Sequence, residues 1–327
     1  MRQRRSDMDV AVVIPTARRE TRLAFALDAL ARQTFPRERF EVVVVRGDDP
    51  GPTVNAPDEL PVRFMSVAAD AGPAAKRNVG WRATTAPLVA FTDDDCRPAA
   101  DWLERLVDAA SGEPGDFILQ GRTDPDPDEI ARLHGLAVTQ AIPARSGWYE
   151  TCNIAYSRGL LERLNGFDEV FAGTDGGAYP IGGEDTDLGL RAVAAGAQER
   201  FVADAVVRHA VHSRHLGKAL SDTRRWRSVP RVLARHPVQR RALQAGLFGR
   251  RAHWAVLVAA LAFPLRRRPL LAAAALTPYL AHHLRGYPLT PRAFARAIAD
   301  LPPRALVDGA EVAMTAAEAA RHRVAVL

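Results

Sequence analysis

The chain has 327 residues, 47% of them hydrophobic, and a formal net charge of +6. This length allows one large domain with an appendage or two modest domains, and the hydrophobic content excludes a wholly disordered chain. The two cysteines are too few for a disulfide framework and match no metal-ligand spacing, so we expect a reducing, cytoplasmic compartment.

The first two hundred residues alternate between predicted strands and predicted helices. Continuous apolar and β-branched residues predict buried strands at 10–14, 41–45, 62–67, 87–91 and 117–119. Apolar residues at helical spacing, such as Leu23, Leu27 and Leu30, predict helices at 20–33, 73–84 and 99–110. Helices between successive strands indicate βαβ units, so we expect an α/β fold with a mostly parallel central sheet flanked by helices.

After about residue 215 the alternation stops and the chain becomes basic. Residues 214–251 contain eleven Lys or Arg and one acid, and apolar stretches follow at 254–265 and 270–280. Each stretch is shorter than the ~20 residues that a membrane-spanning helix needs. They fit either buried helices of a small bundle or a hairpin in a membrane interface, with flanking arginines on anionic headgroups. We predict an α/β domain at 8–215 and a helical region at 216–327.

Three consecutive aspartates follow the predicted strand at 87–91. In parallel sheets, ligands bind at the carboxyl ends of the strands, which is where Asp93, Asp94 and Asp95 fall. Neighbouring carboxylates repel one another, and a bound cation removes that repulsion. Exposure of the three side chains to water is the alternative.

A second acidic cluster lies at Glu184, Asp185 and Asp187, and it opens a predicted helix. The helix dipole alone favours carboxylates in a first turn, so a stabilised helix start is one interpretation. Gly182 and Gly183 precede the cluster and permit the backbone to approach a ligand closely. Two acidic clusters on one α/β scaffold favour a functional site.

Several segments, taken together and in this order, resemble the family 2 glycosyltransferases of the GT-A fold. They are the strand and turn at 12–16, the G-x-x-x-A-R-N-x-G-like helix at 72–80, the D-x-D-like triplet at 93–95, Asn153 with the segment 165–168, and the E-D-x-D-L-x-L-R-like element at 184–191. The resemblance covers roughly residues 8–212.

This resemblance implies an inverting transfer of a sugar from a nucleotide-diphosphate sugar to an acceptor hydroxyl, assisted by Mg²⁺ or Mn²⁺. Asp185 is the expected general base, and Glu184 ranks second or orients the acceptor. The expected metal ligands are Asp95 and His209, with His209 preferred over His212; a surface histidine without a role is the alternative. The residues expected to bind the nucleotide sugar are Pro15, Thr16, Asp48, Lys76, Arg77, Asp93 and Asp94. The residues expected near the acceptor are Trp148, Asn153 and Asp187, although Trp148 and its neighbour Tyr149 fit a core role equally well.

Two departures from the family pattern qualify these expectations. An Asp pair that reads the nucleobase usually follows the second strand directly, whereas here Arg46 and Gly47 intervene before Asp48 and Asp49. The resemblance therefore does not imply that the donor is a uridine nucleotide. Polymerising relatives carry Q-x-x-R-W after the catalytic domain, and this chain has Asp222 where the glutamine stands. We therefore expect the enzyme to add a single sugar to its acceptor rather than to polymerise sugars.

Rival classes remain at this point. A non-catalytic nucleotide-sugar-binding module at the membrane surface is the main alternative. An aspartyl-nucleophile phosphohydrolase needs D-x-D-x-T, but Cys96 and Arg97 follow Asp95. We expect no nucleic-acid partner, because apolar segments adjoin the basic stretch. The acceptor class favoured by the C-terminal composition is a glycan or lipid-linked acceptor at an anionic membrane surface, with peripheral attachment on the cytoplasmic face as an option.

Overall fold

The computed structural model describes residues 8–17, 19–48, 54–112, 115–171 and 182–327. They divide into two compact units, one within residues 1–130 and 139–211 and the other formed by 131–138 and 212–327. Asp49, the second member of the pair after the second strand, lies outside the described residues. The domain boundary at residue 215 stays a prediction.

The first unit is built on an eight-stranded sheet in the order β3-β2-β1-β4-β7-β6-β8-β5. The strands are β1 Val10–Pro15, β2 Phe40–Gly47, β3 Val62–Val67, β4 Leu88–Thr92, β5 Cys96–Pro98, β6 Phe117–Pro125, β7 Asn153–Ser157 and β8 Gln198–His209. The four strands from β3 to β4 run parallel, whereas β7 is antiparallel to both of its neighbours. The sheet is therefore mixed, with a parallel half that carries the predicted βαβ units.

Helices cover both faces of this sheet. They are α1 Glu20–Ala31, α2 Pro73–Arg82, α3 Trp102–Ser111, α4 Arg158–Leu164 and α5 Glu184–Ala194. Alternate residues of β1 point to opposite faces, so Val12 belongs to the core on one side and Val13 to the core on the other. Every residue of β1 and β4 is buried, which explains their unbroken apolar sequence.

Two features of this sheet differ from the sequence predictions. The strand predicted at 117–119 extends to Pro125, with a register irregularity between Gly121 and Arg122. The short strand β5 was not predicted, and it pairs antiparallel with β8 so that Cys96 faces His209. Because β5 follows the Asp triplet directly, this pairing sets where the last aspartate lies.

The second unit is helical. It contains α6 Leu216–Asp222, α7 Ser228–Arg235, α8 Arg251–Ala260, α9 Pro269–Leu284 and α10 Pro291–His322. The two predicted apolar stretches correspond to α8 with the turn that follows it and to α9. Among the described residues, no helix combines the length and apolarity needed to cross a bilayer.

Candidate active site

The carboxyl ends of β1 and β4 place Thr16 beside Asp94. The strands are parallel neighbours in which Val13 faces Phe91, so the residues just beyond each strand come together. The hydroxyl of Thr16 donates to Oδ2 of Asp94 at 2.6 Å, and both residues are buried. Burial raises the pKa of Asp94 to about 6, against the opposing charge of Arg19 and the hydrogen bond from Thr16.

Arg19 supplies a cation to the same carboxylates. Its Nη1 donates to Oδ1 of Asp94 at 3.1 Å and also to Oδ2 of Asp95. Burial alone would lower the pKa of Arg19, but the three aspartates raise it above its usual value. The side chain is 48% exposed, whereas the two carboxylates are buried. The guanidinium of Arg19 therefore neutralises part of the negative charge of the Asp triplet.

Pairing of β5 with β8 brings Asp95, Cys96 and His209 together. One ligand atom from each lies within 4.8 Å of those of the others, and Nε2 of His209 is 3.7 Å from Oδ1 of Asp95. Nδ1 of His209 lies 2.9 Å from the carbonyl oxygen of Ala210, which can only accept a hydrogen bond. Nδ1 therefore donates this hydrogen bond, and Nε2 is the ring nitrogen that faces Asp95.

Cys96 differs from the other two members of this group. It is fully buried within an apolar core cluster. Burial raises the pKa of the Cys96 thiol well above its usual value, and nearby carboxylates add to the effect. The protonated thiol is a poor ligand. Asp95 and His209 are consequently the stronger donors for a divalent cation.

The two acidic clusters meet at Arg77 of α2. Its Nη2 donates to Oδ1 of Asp93 and its Nη1 to Oε1 of Glu184, each at 2.9 Å. The guanidinium also lies over the ring of Phe167, 5.7 Å from its centroid. Burial would lower the pKa of Arg77, but the charges of Asp93, Glu184 and Asp185 raise it. Carboxylates from distant parts of the chain thus form one site.

The start of α5 presents Asp185 next to this bridge. Gly182 and Gly183 have φ of 90° and 100°, a conformation that favours glycine, and Gly183 is the residue before the first helical turn. Burial and then the charge of Glu184 raise the pKa of Asp185 to about 8. The backbone N–H of Thr186 donates to Oδ1 of Asp185 at 2.8 Å and orients the carboxyl.

The remaining residues expected at the nucleotide sugar lie around this edge. Nζ of buried Lys76 donates to the carbonyl oxygen of Thr16 at 2.8 Å, and burial lowers the pKa of Lys76 despite the charge of Asp94. Pro15 ends β1 and is buried. Asp48 is exposed directly after β2, and its N–H donates to the carbonyl oxygen of Val67. These positions share the carboxyl edge of the parallel strands.

The residues expected near the acceptor are placed differently. Asn153 is fully buried; its amide nitrogen donates to the carbonyl oxygens of Arg122 and Ala205, and its amide oxygen accepts from Trp102. Asp187 is also fully buried, and its Oδ2 accepts from Nε of Arg191. The structure therefore keeps both side chains inside the fold.

Trp148 and Tyr149 separate into two environments. Trp148 is half-buried, and its carbonyl oxygen accepts from the hydroxyl of Thr186 in α5. Tyr149 is a core residue with φ of 55°, and its hydroxyl donates to Glu199 at 2.7 Å. Of the pair, Trp148 is the residue next to the acidic helix start.

Sequence reasoning missed three contributors to the site. Arg19 and Cys96 contact the Asp triplet. Burial, and then the charge of Asp185, raises the pKa of the Tyr156 hydroxyl well above its usual value. Among the described residues, Tyr156 Oη and Glu184 Oε2 are buried polar atoms without a hydrogen-bond partner. Such atoms favour a ligand, because an unsatisfied buried polar group destabilises the protein. Of these three residues, only Arg19 could have been expected at the site from the sequence, because it follows the turn after β1.

Comparison with known proteins gives a consistent result. The family model described as "Glycosyl transferase family 2" matches residues 11–163. Validoxylamine A glucosyltransferase of Streptomyces hygroscopicus subsp. limoneus is 29% identical over 224 residues, which are 56% of this chain and 47% of that protein. Succinoglycan biosynthesis protein ExoM of Rhizobium meliloti (strain 1021) is 28% identical over 268 residues, which are 76% of this chain and 84% of that protein. The chain spans half or less of the length of three curated relatives that it matches.

A solved structure extends the likeness to the fold. The mannosyltransferase PcManGT from Pyrobaculum calidifontis, solved in complex with GDP-Man and Mn²⁺, has a TM-score of 0.55 at 21% identity. The alignment covers 95% of this chain and 86% of that one. The predicted GT-A fold, with its helical C-terminal region, is confirmed.

Proposed function

We propose that the chain is a family 2 glycosyltransferase, the family whose model matches residues 11–163, and that it moves a sugar from a nucleotide-diphosphate sugar to an acceptor hydroxyl with inversion. The observation that carries this proposal is the bridge at Arg77, which joins Asp93 of one acidic cluster to Glu184 of the other. A metal and donor subsite next to a candidate base is what such a transfer requires.

We propose Asp95 and His209 as ligands for Mg²⁺ or Mn²⁺. Nε2 of His209 and a carboxylate oxygen of Asp95 lie 3.7 Å apart, and an imidazole nitrogen beside a carboxylate is a donor pair that fits a divalent cation. A divalent ion held by these residues would supply positive charge to stabilise a nucleoside diphosphate leaving group. PcManGT was solved with Mn²⁺, and we extend a divalent cation to this chain on the strength of its own donor atoms.

The carboxyl edge of β1, β2 and β4 is the proposed donor subsite. We assign to it Pro15, Thr16, Asp48, Lys76, Arg77, Asp93 and Asp94. Lys76 and Arg77 are buried beneath the triplet, where their charges favour the ionised carboxylates and, when donor is bound, its diphosphate. Asp48 is the exposed carboxylate of this edge and our candidate for contact with the nucleobase.

We assign the general base to Asp185. Its pKa of about 8 suits proton transfer near neutral pH, because a base works best when its pKa lies close to the working pH. Glu184 is held by Arg77, so we propose that it fixes the start of α5 and orients the acceptor rather than taking the proton. The unsatisfied Oε2 of Glu184 remains for that contact.

Trp148 is our candidate for direct contact with the acceptor, since it is half-buried beside the start of α5. Asn153 and Asp187 support the acceptor side from within the fold, where both are fully buried. Asp222 in place of a glutamine favours a single addition. We propose a glycan or lipid-linked acceptor of the cell envelope, in line with the relative ExoM being a succinoglycan biosynthesis protein, and peripheral attachment to the cytoplasmic membrane face.

A panel of nucleotide-diphosphate sugars, each incubated with and without Mn²⁺, tests this proposal. We expect one donor to be hydrolysed slowly in the presence of the cation. Its identity would show which sugar and which nucleobase the protein recognises. Binding of a donor without hydrolysis or transfer to any acceptor would instead favour a non-catalytic binding module. If none of the donors bound, the proposal would fail.

A further inference from the structure

The region from α7 to the start of α10 has an unusual charge pattern. Between Asp222 and Asp300 the sequence contains fifteen arginines, no lysine and no acidic residue. A solvated surface usually mixes both signs of charge. Arg227, Arg231 and Arg250 pair with acids of α10, so the charge that favours an anionic partner is that of the exposed arginines around α9, at 266–268 and 285.

Helix α9 adds an apolar surface to this charge. None of its sixteen residues is Asp, Glu, Lys or Arg, and in the described structure only Ala275 and Tyr279 of this helix are buried. Leu270 is 85% exposed, and Leu271, Leu276 and Leu284 are exposed as well. The turn that joins α8 to α9 exposes Phe263, at 74%. Apolar side chains gathered on one exposed hairpin mark an interaction site.

Arginines stand at both ends of this apolar helix. Arg266, Arg267 and Arg268 precede it and Arg285 follows it, and all four are exposed. The guanidinium of Arg266 lies over the ring of Phe263, 4.7 Å from the centroid. Arginine at the ends of an apolar helix lets the helix lie in a bilayer interface while the guanidinium groups reach lipid phosphates.

We infer that the α8–α9 hairpin, residues 251–284, together with Arg285 docks on an anionic lipid bilayer, with Phe263, Leu270 and the exposed leucines of α9 in the headgroup and acyl boundary. Nucleic acid fits this surface less well, because the large exposed side chains of α9 are leucines, which offer no ring for base stacking, and Phe263 alone would be a small platform. A second copy of the chain fits less well too, since self-association would bring the arginines of both copies together. The inference identifies the surface for the membrane attachment proposed above and does not depend on catalysis.

Vesicle co-sedimentation of the full chain tests the inference. We expect binding to vesicles that contain phosphatidylglycerol, weak binding to vesicles of phosphatidylcholine alone, and loss of binding at high salt. Leu270→Asp should weaken binding at least ~10-fold, since a charge on the lipid-facing side opposes insertion. Combined R266Q, R267Q and R268Q should weaken it on the order of 100-fold, from roughly fivefold for each arginine.

Two control variants test whether similar changes of charge or apolarity elsewhere on the protein also weaken vesicle binding. Val170→Asp changes an 80% exposed apolar residue of the first unit. Combined R122Q, R145Q and R163Q removes three half-exposed arginines of the first unit. Both controls should bind vesicles like the wild type, and Leu270→Asp should keep the wild-type melting temperature because the side chain is exposed.

The inference is overturned if the wild type binds no anionic vesicle or if the hairpin variants bind as well as the controls. It also fails if the hairpin variants abolish binding to duplex DNA or RNA, or self-association, and leave vesicle binding intact. Loss of vesicle binding with intact transfer to a soluble acceptor would support it. Absence of transfer in every variant and in the wild type would instead count against the proposed function alone.

Discussion

Asp93 and Glu184 accept hydrogen bonds from the same guanidinium, that of Arg77, each at 2.9 Å. This relationship joins the strand end of β4 to the helix start of α5. Through this guanidinium, Asp93 of the triplet that we propose for metal and donor is joined to Glu184, the neighbour of the candidate base Asp185.

Asp185→Asn should lower the transfer rate at least ~100-fold while donor affinity stays within about twofold of the wild type. Asparagine keeps the oxygen that accepts from the N–H of Thr186 but cannot accept the proton of the acceptor hydroxyl. Single-turnover transfer and donor titration measure the two quantities. Asp101→Asn, at a carboxylate that contacts Arg105, is the control and should retain full activity. Unchanged transfer by the Asp185 variant would remove this residue from the mechanism.

The same variant should become more stable relative to the wild type as pH rises. The pKa of Asp185 is about 8 in the folded protein, and an aspartate in the unfolded chain has a pKa of ~3.9. The stability linked to this proton is therefore complete below pH ~4 and is lost as pH rises through about 8. Asparagine has no such proton, so we expect an advantage of at least about 1 kcal/mol to develop over this window.

Urea unfolding of Asp185→Asn and wild type across this pH range measures the difference. The gap in free energy of unfolding should widen from pH ~4 to pH ~8 and then stay level. A gap that does not change with pH would mean that folding does not raise the pKa of Asp185.

Arg19→Gln should tighten Mn²⁺ binding. The Arg19 guanidinium contacts Asp94 and Asp95, so it repels a second cation and engages the carboxylate oxygens that the cation needs. Because Arg19 is about half exposed, we expect an effect of only ~1 kcal/mol, which is roughly a fivefold lower Kd. Electron paramagnetic resonance of free Mn²⁺ gives this constant without reference to turnover.

Arg22→Gln is the control for that measurement, since Arg22 donates to Glu129 and not to the triplet. It should bind Mn²⁺ like the wild type. Weaker or equal binding by Arg19→Gln would show that Arg19 does not compete with the ion.

Gly189→Ala should destabilise the fold by about 1–3 kcal/mol, the usual range for overpacking. A Cβ on Gly189 of α5 would lie 2.1 Å from Cγ of Tyr149, which is a core residue. The better helix propensity of alanine offsets only ~1 kcal/mol. Gly112→Ala is the control, because its Cβ would meet no atom within 4 Å and its φ is −95°. Equal unfolding midpoints for the two variants in urea would contradict the packing described here.

The parallel half of the fold was predictable from the sequence because β1 and β4 are buried throughout and β2 along most of its length, which requires nearly continuous apolar residues. The prediction at 62–67 coincides with β3, and those at 10–14 and 41–45 fall within β1 and β2. The amide of Asn78 contacts the N–H and the carbonyl oxygen of Phe167, so the motif at 72–80 and the segment at 165–168 meet in the fold.

Contacts that depend on tertiary pairing were not predictable. Cys96 reaches His209 only because β5 pairs with β8, and a three-residue strand leaves no periodicity in a sequence. Asn153 matched a family motif, but its burial arises from the hydrogen bonds of its amide inside the sheet. The sequence could not tell whether Tyr149 is a core residue. It packs into the core because Gly189, which has no side chain, leaves room for the tyrosine ring.

Calorimetric titration of UDP and GDP, each with and without Mn²⁺, tests the central claim most directly, using the wild type, Asp95→Asn and His209→Gln. If the two acidic clusters surround a cation and a sugar diphosphate, one nucleotide will bind the wild type only with Mn²⁺. Both substitutions will then weaken that binding at least ~10-fold, because even the loss of a residue that only orients a metal ligand weakens metal binding by roughly 10- to 100-fold. Binding that is independent of Mn²⁺ and equal in all three proteins would contradict the claim.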